Sequence, residues 1–217
     1  MFLSKLVPEV RSQLVRKDLG SVYELHRTIW RAFPDGDPGR ILFRVDIPRL
    51  GSTPVVLVQS NHEPDWSKLP LGYLKTSPEW KPFQPCFSIG QVLGFRLRAN
   101  PTLRVHANNQ ALGTQWAGKR VALFQENDLL DWLERKAKVG GFALGETPGA
   151  PANWGIRVTP EPRVFTGKPG HGGWFQSVLF EGRIRVWEPD KFLETLALGL
   201  GSAKGFGFGL LSVVPVP

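Results

Sequence analysis

The spacing of apolar and polar positions changes period several times along the chain, and each change marks an element. FLSKLV at the start alternates and reads as a strand. From about Ser21 to Phe33 the period becomes helical, with Val22, Leu25, Ile29 and Phe33 on one stripe at about 100° per residue. Ser21 and Glu24 have the S-x-x-E spacing of a capping box, and the turn residues PDGDPG end the helix. RILFRVD and TPVVLVQS then read as two strands. A Pro-rich stretch, NHEPDWSKLPLGYLKTSPEWKPFQP, reads as mostly irregular with room for one short helix, and VLGFRLRANP closes the unit as a last strand.

The second half repeats that order. KRVALF is a strand, and a helix capped by Asn127 runs through DLLDWLERKAKV to stop at Gly140 and Gly141. GFALG and WGIRVTPEPRVF are extended, and WFQSVLFEGRIRVW holds two strand-like runs around a Glu181–Gly182 turn. PDKFLETLALGL is a Pro-started helix and FGLLSVVPV the final strand. The fold predicted is α+β, two tandem ferredoxin-like βαββαβ domains over residues 1–105 and 106–217, with the polar linker HANNQALGTQWAG between them.

Composition narrows the function. Twenty-seven Lys and Arg against 19 Asp and Glu give a formal charge of +8, which attracts polyanions, a phosphate backbone first among them. The apolar runs are strand-length, well short of the roughly 20 residues of a membrane span. Lys5 and Glu9 interrupt the apolar start, which reads against a signal peptide. A single cysteine, Cys86, fits a reducing compartment and supplies neither a disulfide nor a thiolate zinc cluster.

Two stretches stand out for chemistry. GLGSAKGFGFG, residues 199–209, lacks the spacing of a P-loop and lies between a helix and a strand, the reverse of nucleotide-binding glycine loops. A turn that needs positive φ explains one or two glycines but not five in eleven residues with Lys204 among them. A backbone nest for RNA built on Gly201, Lys204, Gly205 and Gly207 is the reading adopted. WGIRVTPEPRVFTGK reads as a basic β-hairpin with Arg157, Arg163 and Lys168 spaced along it, the plainer alternative being solvated strand charges.

The tandem ferredoxin-like order with a Gly-rich loop before the last strand resembles the RAMP superfamily of CRISPR proteins. Within it, SVYELHRTIWRAFP, FRLRANP, KRVAL and GLGSAKGFGFGLLSV resemble the CasE-type endoribonucleases of type I-E Cascade, in the right order and at both ends and the middle of the chain. The resemblance implies a metal-independent enzyme without a cofactor that cuts CRISPR precursor RNA at the base of the repeat hairpin. It further implies that the enzyme keeps the guide RNA beside the other Cascade subunits, in the cytoplasm and away from membranes. Tyr23 and His26 match the family's catalytic Tyr and His positions. On periodicity alone, Tyr23, His26, Arg27 and Trp30 would be an ordinary outer helix face.

The chemistry agrees with that match. RNA carries its own nucleophile, the 2′-hydroxyl next to the scissile phosphate, so an enzyme must move two protons, steady the phosphorane and align the atoms. Histidine serves either proton-transfer role near neutral pH, and His26 is assigned that work as acid or base. Tyr23 positions the nucleophile or donates to the phosphate, and Arg27 stabilises charge on the phosphate oxygens. The expected products are a 2′,3′-cyclic phosphate and a 5′-hydroxyl.

Rivals for the site are weaker. His62, Glu63 and Asp65 form a Pro-interrupted surface loop without a metal-binding partner motif. His106 reads as a linker residue and His171 as a loop tip, and Trp30, Trp132 and Trp187 read as packing. The charged run ERKAK at 134–138 reads first as a helix end favoured by the dipole, with phosphate contact second. The competing functions are a RAMP-type subunit that holds guide RNA without cutting it, and a single-strand RNA-binding protein with paired RRM-like sheets. The latter needs an RNP1 pattern that the chain lacks.

Overall fold

The computed structural model describes residues 1–37, 39–49, 51–105, 118–145, 155–168 and 171–216, with the side chains of residues 167, 168 and 171 outside the description. Two antiparallel sheets organise it. The first contains β1 (Phe2–Leu6), β2 (Ile41–Asp46), β3 (Val55–Ser60) and β4 (Glu79–Pro82), in the order β2-β3-β1-β4. Packed on it are α1 (Gln13–Leu19) and α2 (Val22–Trp30).

The second sheet orders as β11-β5-β10-β8, from β5 (Val92–Ala99), β8 (Phe142–Leu144), β10 (His171–Val186) and β11 (Leu211–Pro215), with β9 (Arg157–Lys168) on the edge of β10. Its helices are α3 (Glu126–Val139) and α4 (Pro189–Leu198). Numbered within each unit, both sheets run fourth, first, third, second, the ferredoxin-like order. A small hairpin, β6 (Thr102–Arg104) with β7 (Arg120–Ala122), stands apart from both.

Local signals account for many of these elements. Ser21 has extended backbone and its Oγ accepts from the Glu24 N–H at 3.4 Å, so α2 starts at the expected cap. Leu25, Ile29 and Phe33 are buried as the stripe requires, although regular helix ends at Trp30. Period-two alternation buries Leu93, Phe95, Leu97 and Ala99 of β5 against Leu129, Leu133, Phe192 and Leu196 of α3 and α4.

Several expectations are corrected. Val92–Ala99 does not close the first unit; it opens the second, pairing with β10 and β11. The fourth strand of the first unit is Glu79–Pro82, inside the stretch read as irregular, pairing with β1 at the sheet edge where a proline is tolerated. The sheets therefore part between Pro82 and Val92 rather than after residue 105. KRVAL is a strand as expected, β7, but it pairs with β6 in the small two-stranded sheet rather than in the main sheet of the second unit. Helix α3 is flanked at its start by Gln125, not capped by Asn127. Helix α1 was not anticipated. Glu181–Gly182 is no turn: β10 runs unbroken through it, pairing with β5 on one side and with β9 and then β8 on the other. The WGIRVTPEPRVFTGK segment is accordingly one strand of a hairpin, and β10 supplies the other.

The two units are pinned together across their sheets. The Arg44 guanidinium, 2% exposed, donates to both Asp46 carboxylate oxygens (2.9 and 3.0 Å) and to the carbonyls of Arg96 and Leu210 (3.3 and 3.2 Å). Arg98 donates to the Val45 carbonyl at 2.6 Å while paired with Glu161, and Gln59 donates to the Leu196 carbonyl at 2.6 Å. These bonds fix α2, on the first unit, relative to the Gly-rich loop and β9, on the second.

Candidate active site

Tyr23, His26 and Arg27 occupy a little over one turn of α2, so one helix sets their relative positions. Leu25, Thr28 and Ile29 bury the opposite face and anchor it. The His26 ring meets Trp30 edge-on at 5.1 Å and stacks on buried Phe43 at 6.0 Å between centroids. Burial in this aromatic setting pushes the imidazole below its ordinary pKa, favouring the neutral ring. Arg27 is exposed, lies 5.8 Å from the Tyr23 ring centroid and makes a 3.3 Å ion pair with Glu24. An exposed pair of this kind is worth only a few tenths of a kcal/mol, roughly 0.3–0.5, and releases Arg27 readily to a phosphate.

The Gly-rich loop comes to this helix. A 3-10 turn, Lys204–Phe206, packs against α2 and β2 between two left-handed residues, Ala203 and Gly207. A Cβ placed on Gly205 would lie 3.8 and 3.9 Å from Cε1 and Nε2 of His26, so the loop backbone borders the imidazole directly. Gly201 (φ +86°) sits against the Trp132 ring and Gly207 (φ +80°) against Phe43; both glycines let the loop wedge between the two cores. Their conformations thus have a packing cause that the reading of the loop as an RNA nest did not include.

Lys204 is half-buried. Desolvation lowers its ammonium pKa, and the cations of Arg40 and Lys136 lower it further. Three positive groups, from the approach to β2, from α3 and from the loop, thereby gather around Lys204, and none is ion-paired among the described residues.

Strand β9 also touches α2. Arg157 stands at the base of the β9–β10 hairpin opposite Glu181, and Arg163 farther out, its guanidinium 5.5 Å over the Phe124 ring. Both are exposed. Lys168 is at the far end, opposite His171 in register. The Gly-rich loop and strand β9 thus both contact α2.

Residues 1–215 match the CRISPR associated protein family. The chain belongs to that family. Among CRISPR associated proteins, the Thermus thermophilus protein named CRISPR-associated endoribonuclease Cse3 is 42% identical over 225 residues, spanning 99% of this chain and 100% of its own. The Escherichia coli protein named CRISPR system Cascade subunit CasE is 31% identical over 220 residues, spanning 100% of both. A solved structure described as CRISPR endoribonuclease Cse3 bound to 19 nt RNA superposes with a TM-score of 0.85 at 40% identity, covering 99% of this chain and 100% of that one.

The remaining histidines and tryptophans fall outside the site or were partly misread. Asp65 caps the short 3-10 turn Trp66–Lys68, accepting from the Ser67 N–H and hydroxyl, which explains the NHEPDW loop without a ligand. His106 lies outside the described residues. Trp132 is buried as expected, stacked on Phe180, whereas Trp30 and Trp187 are 42% and 45% exposed. Among the described residues, no group of three or more His, Cys, Asp or Glu is placed to hold a metal, and no helix is long and apolar enough to cross a membrane.

Sequence reasoning missed Arg40 and Phe124. Neither lies in a motif, and each joins the site only through the packing of a distant element. Lys136 was seen only as part of a charged helix end.

Proposed function

We propose that the chain is a metal-independent endoribonuclease that cuts CRISPR precursor RNA at the base of the repeat hairpin and remains on the product guide RNA as a Cascade subunit, in the cytoplasm. The observation that carries this is the position of His26: on one helical turn with Tyr23 and bordered by the Gly205 backbone of the loop that carries Lys204. The RNA's 2′-hydroxyl attacks the adjacent phosphorus, forming the 2′,3′-cyclic phosphate as the bond to the 5′-oxygen breaks. His26 carries a proton for one of these steps. Tyr23 donates a hydrogen bond to the phosphate or aligns the nucleophile. Arg27, together with Lys204 of the loop that contacts α2, meets the charge that builds on the non-bridging oxygens, where cations act most strongly in the transition state.

Gly201, Gly205 and Gly207 bring loop backbone to the RNA, while Arg157, Arg163 and Lys168 enter the end of the stem. A-form RNA has a deep, narrow major groove that opens to a thin hairpin near a helix end. Support comes from family membership, from the relatives' names and from the contacts of the loop and β9 with α2.

The test is cleavage of a hairpin repeat RNA in excess chelator, with analysis of the ends. Wild-type protein should yield cyclic phosphate and 5′-hydroxyl ends. His26→Ala should be slower by at least about 10²-fold, the scale of a lost general acid or base, while still binding. A single 2′-deoxy substitution just upstream of the cut should abolish cleavage. Cutting of the deoxy substrate would refute the mechanism, and binding without any cleavage by the wild type would leave a guide-RNA holder instead.

A further inference from the structure

The hairpin that carries Arg163 has two different faces, and the outer one is unexplained by phosphate contacts alone. Strand β5 pairs with β10 only from Val178 onward, so residues 171–177 and their partners on β9 project past the sheet as a two-stranded arm. On the inner face Phe175 packs against Phe206 at 5.4 Å and Phe208 at 6.0 Å, beside the catalytic loop, and Thr166 is buried. The outer face exposes Arg163, Phe165 (38%) and Trp174 (64%).

The geometry of that outer face is specific. Trp174 and Phe165 are directly opposite in register, with ring centroids 5.2 Å apart and planes tilted by 57°. A Cβ on Gly172 would run into the Phe165 ring, so this glycine allows the ring to lie against the strand. Among the described residues nothing stands within 4 Å of a Cβ built on Gly173, beside Trp174. Two residues along β9 from Phe165, Arg163 holds its guanidinium over Phe124, itself 54% exposed, with no carboxylate partner among the described residues. The stripe reads aromatic, cation, aromatic, aromatic.

We propose that the aromatic pair on this outer face, Trp174 and Phe165, is a stacking platform for unpaired nucleotides of the RNA, next to the stem phosphates that Arg163 contacts. Exposed rings match a single strand, whose bases offer π faces. A stem offers the rings no free base faces, so the rings take nucleotides beside the stem end that Arg163 contacts. The inference rests on the RNA-cutting reading above, since the arm's inner face borders the site where the RNA would lie, and it adds a recognition element for the RNA outside the stem.

The experiment measures binding of wild type, Trp174→Ala and Trp174→Tyr to two RNAs: a repeat hairpin with its flanking and loop nucleotides, and the same stem with every unpaired nucleotide abasic. Stacking of one base is worth about 1–3 kcal/mol, so Trp174→Ala should weaken binding to the first RNA by about 5- to 150-fold. Trp174→Tyr should retain most of the affinity, and Trp174→Ala should bind the abasic RNA as the wild type does. Equal weakening on both RNAs, or none on either, overturns the stacking platform; in the second case the face is left to a protein partner. A wild type that binds neither RNA overturns the RNA-cutting reading itself, and the platform with it.

Discussion

Replacing Arg44 by methionine removes the side chain that ties the first sheet to the second while keeping the volume of its apolar stem. The guanidinium is 2% exposed and donates to Asp46, to the Arg96 carbonyl and to the Leu210 carbonyl just before β11. Removing one partner of a buried pair costs about 3–5 kcal/mol, chiefly because the other charge is left unpaired. Asp46 keeps some relief: its side chain is 14% exposed and Arg96 lies 3.9 Å away. That places the loss at the lower end, about 3 kcal/mol. For a chain of this size each kcal/mol moves Tm by about 2–4 °C, so calorimetry should record a fall of about 6–12 °C. Adding Asp46→Leu to the variant removes the stranded carboxylate and should restore a good part of that loss, as apolar replacement of buried ion pairs often does. A Tm within about 2 °C of wild type, or a double variant no more stable than the single one, would refute the account of Arg44 as a charge-paired staple.

The remaining expectations concern the site. The depressed pKa of His26 means that between its unfolded value of 6.5 and its lower folded value the unfolded chain binds the proton and the folded chain does not. Stability then falls as pH drops below 6.5, levelling off under the folded pKa. Urea titrations at pH 7 and pH 5 should show His26→Gln losing less stability than wild type on acidification, and equal losses would remove the buried neutral imidazole from the argument. Replacing Arg157, Arg163 and Lys168 together by alanine should weaken hairpin binding and reduce its salt dependence by up to about three phosphate contacts, read from affinities at several salt concentrations. An unchanged salt slope would move RNA binding to Lys204, Arg40 and Lys136.

The sequence by itself determined those features whose cause lies within one turn or one strand. Ser21 starts α2 because its hydroxyl reaches an amide three residues on, Pro189 opens α4, and the stripe of Leu25, Ile29 and Phe33 decides which helix face is covered. The same stripe leaves Tyr23, His26 and Arg27 off the core face, so the catalytic candidates were legible from spacing together with the family pattern. Other features were decided only by tertiary structure. Alternation marked Val92–Ala99 as a strand, yet nothing in it says which sheet it joins, because main-chain ladders are the same whatever side chains they carry. Glu79–Pro82, exposed throughout, has no alternation to read, and its strand exists through pairing with β1. Gly182 resembled a turn until the ladders on both sides of β10 held it extended, with Glu181 paired to Arg96. Arg40 and Phe124 reach the site by the same route. A site assembled between elements far apart in the chain is set by distances that only packing fixes, and no local period records them.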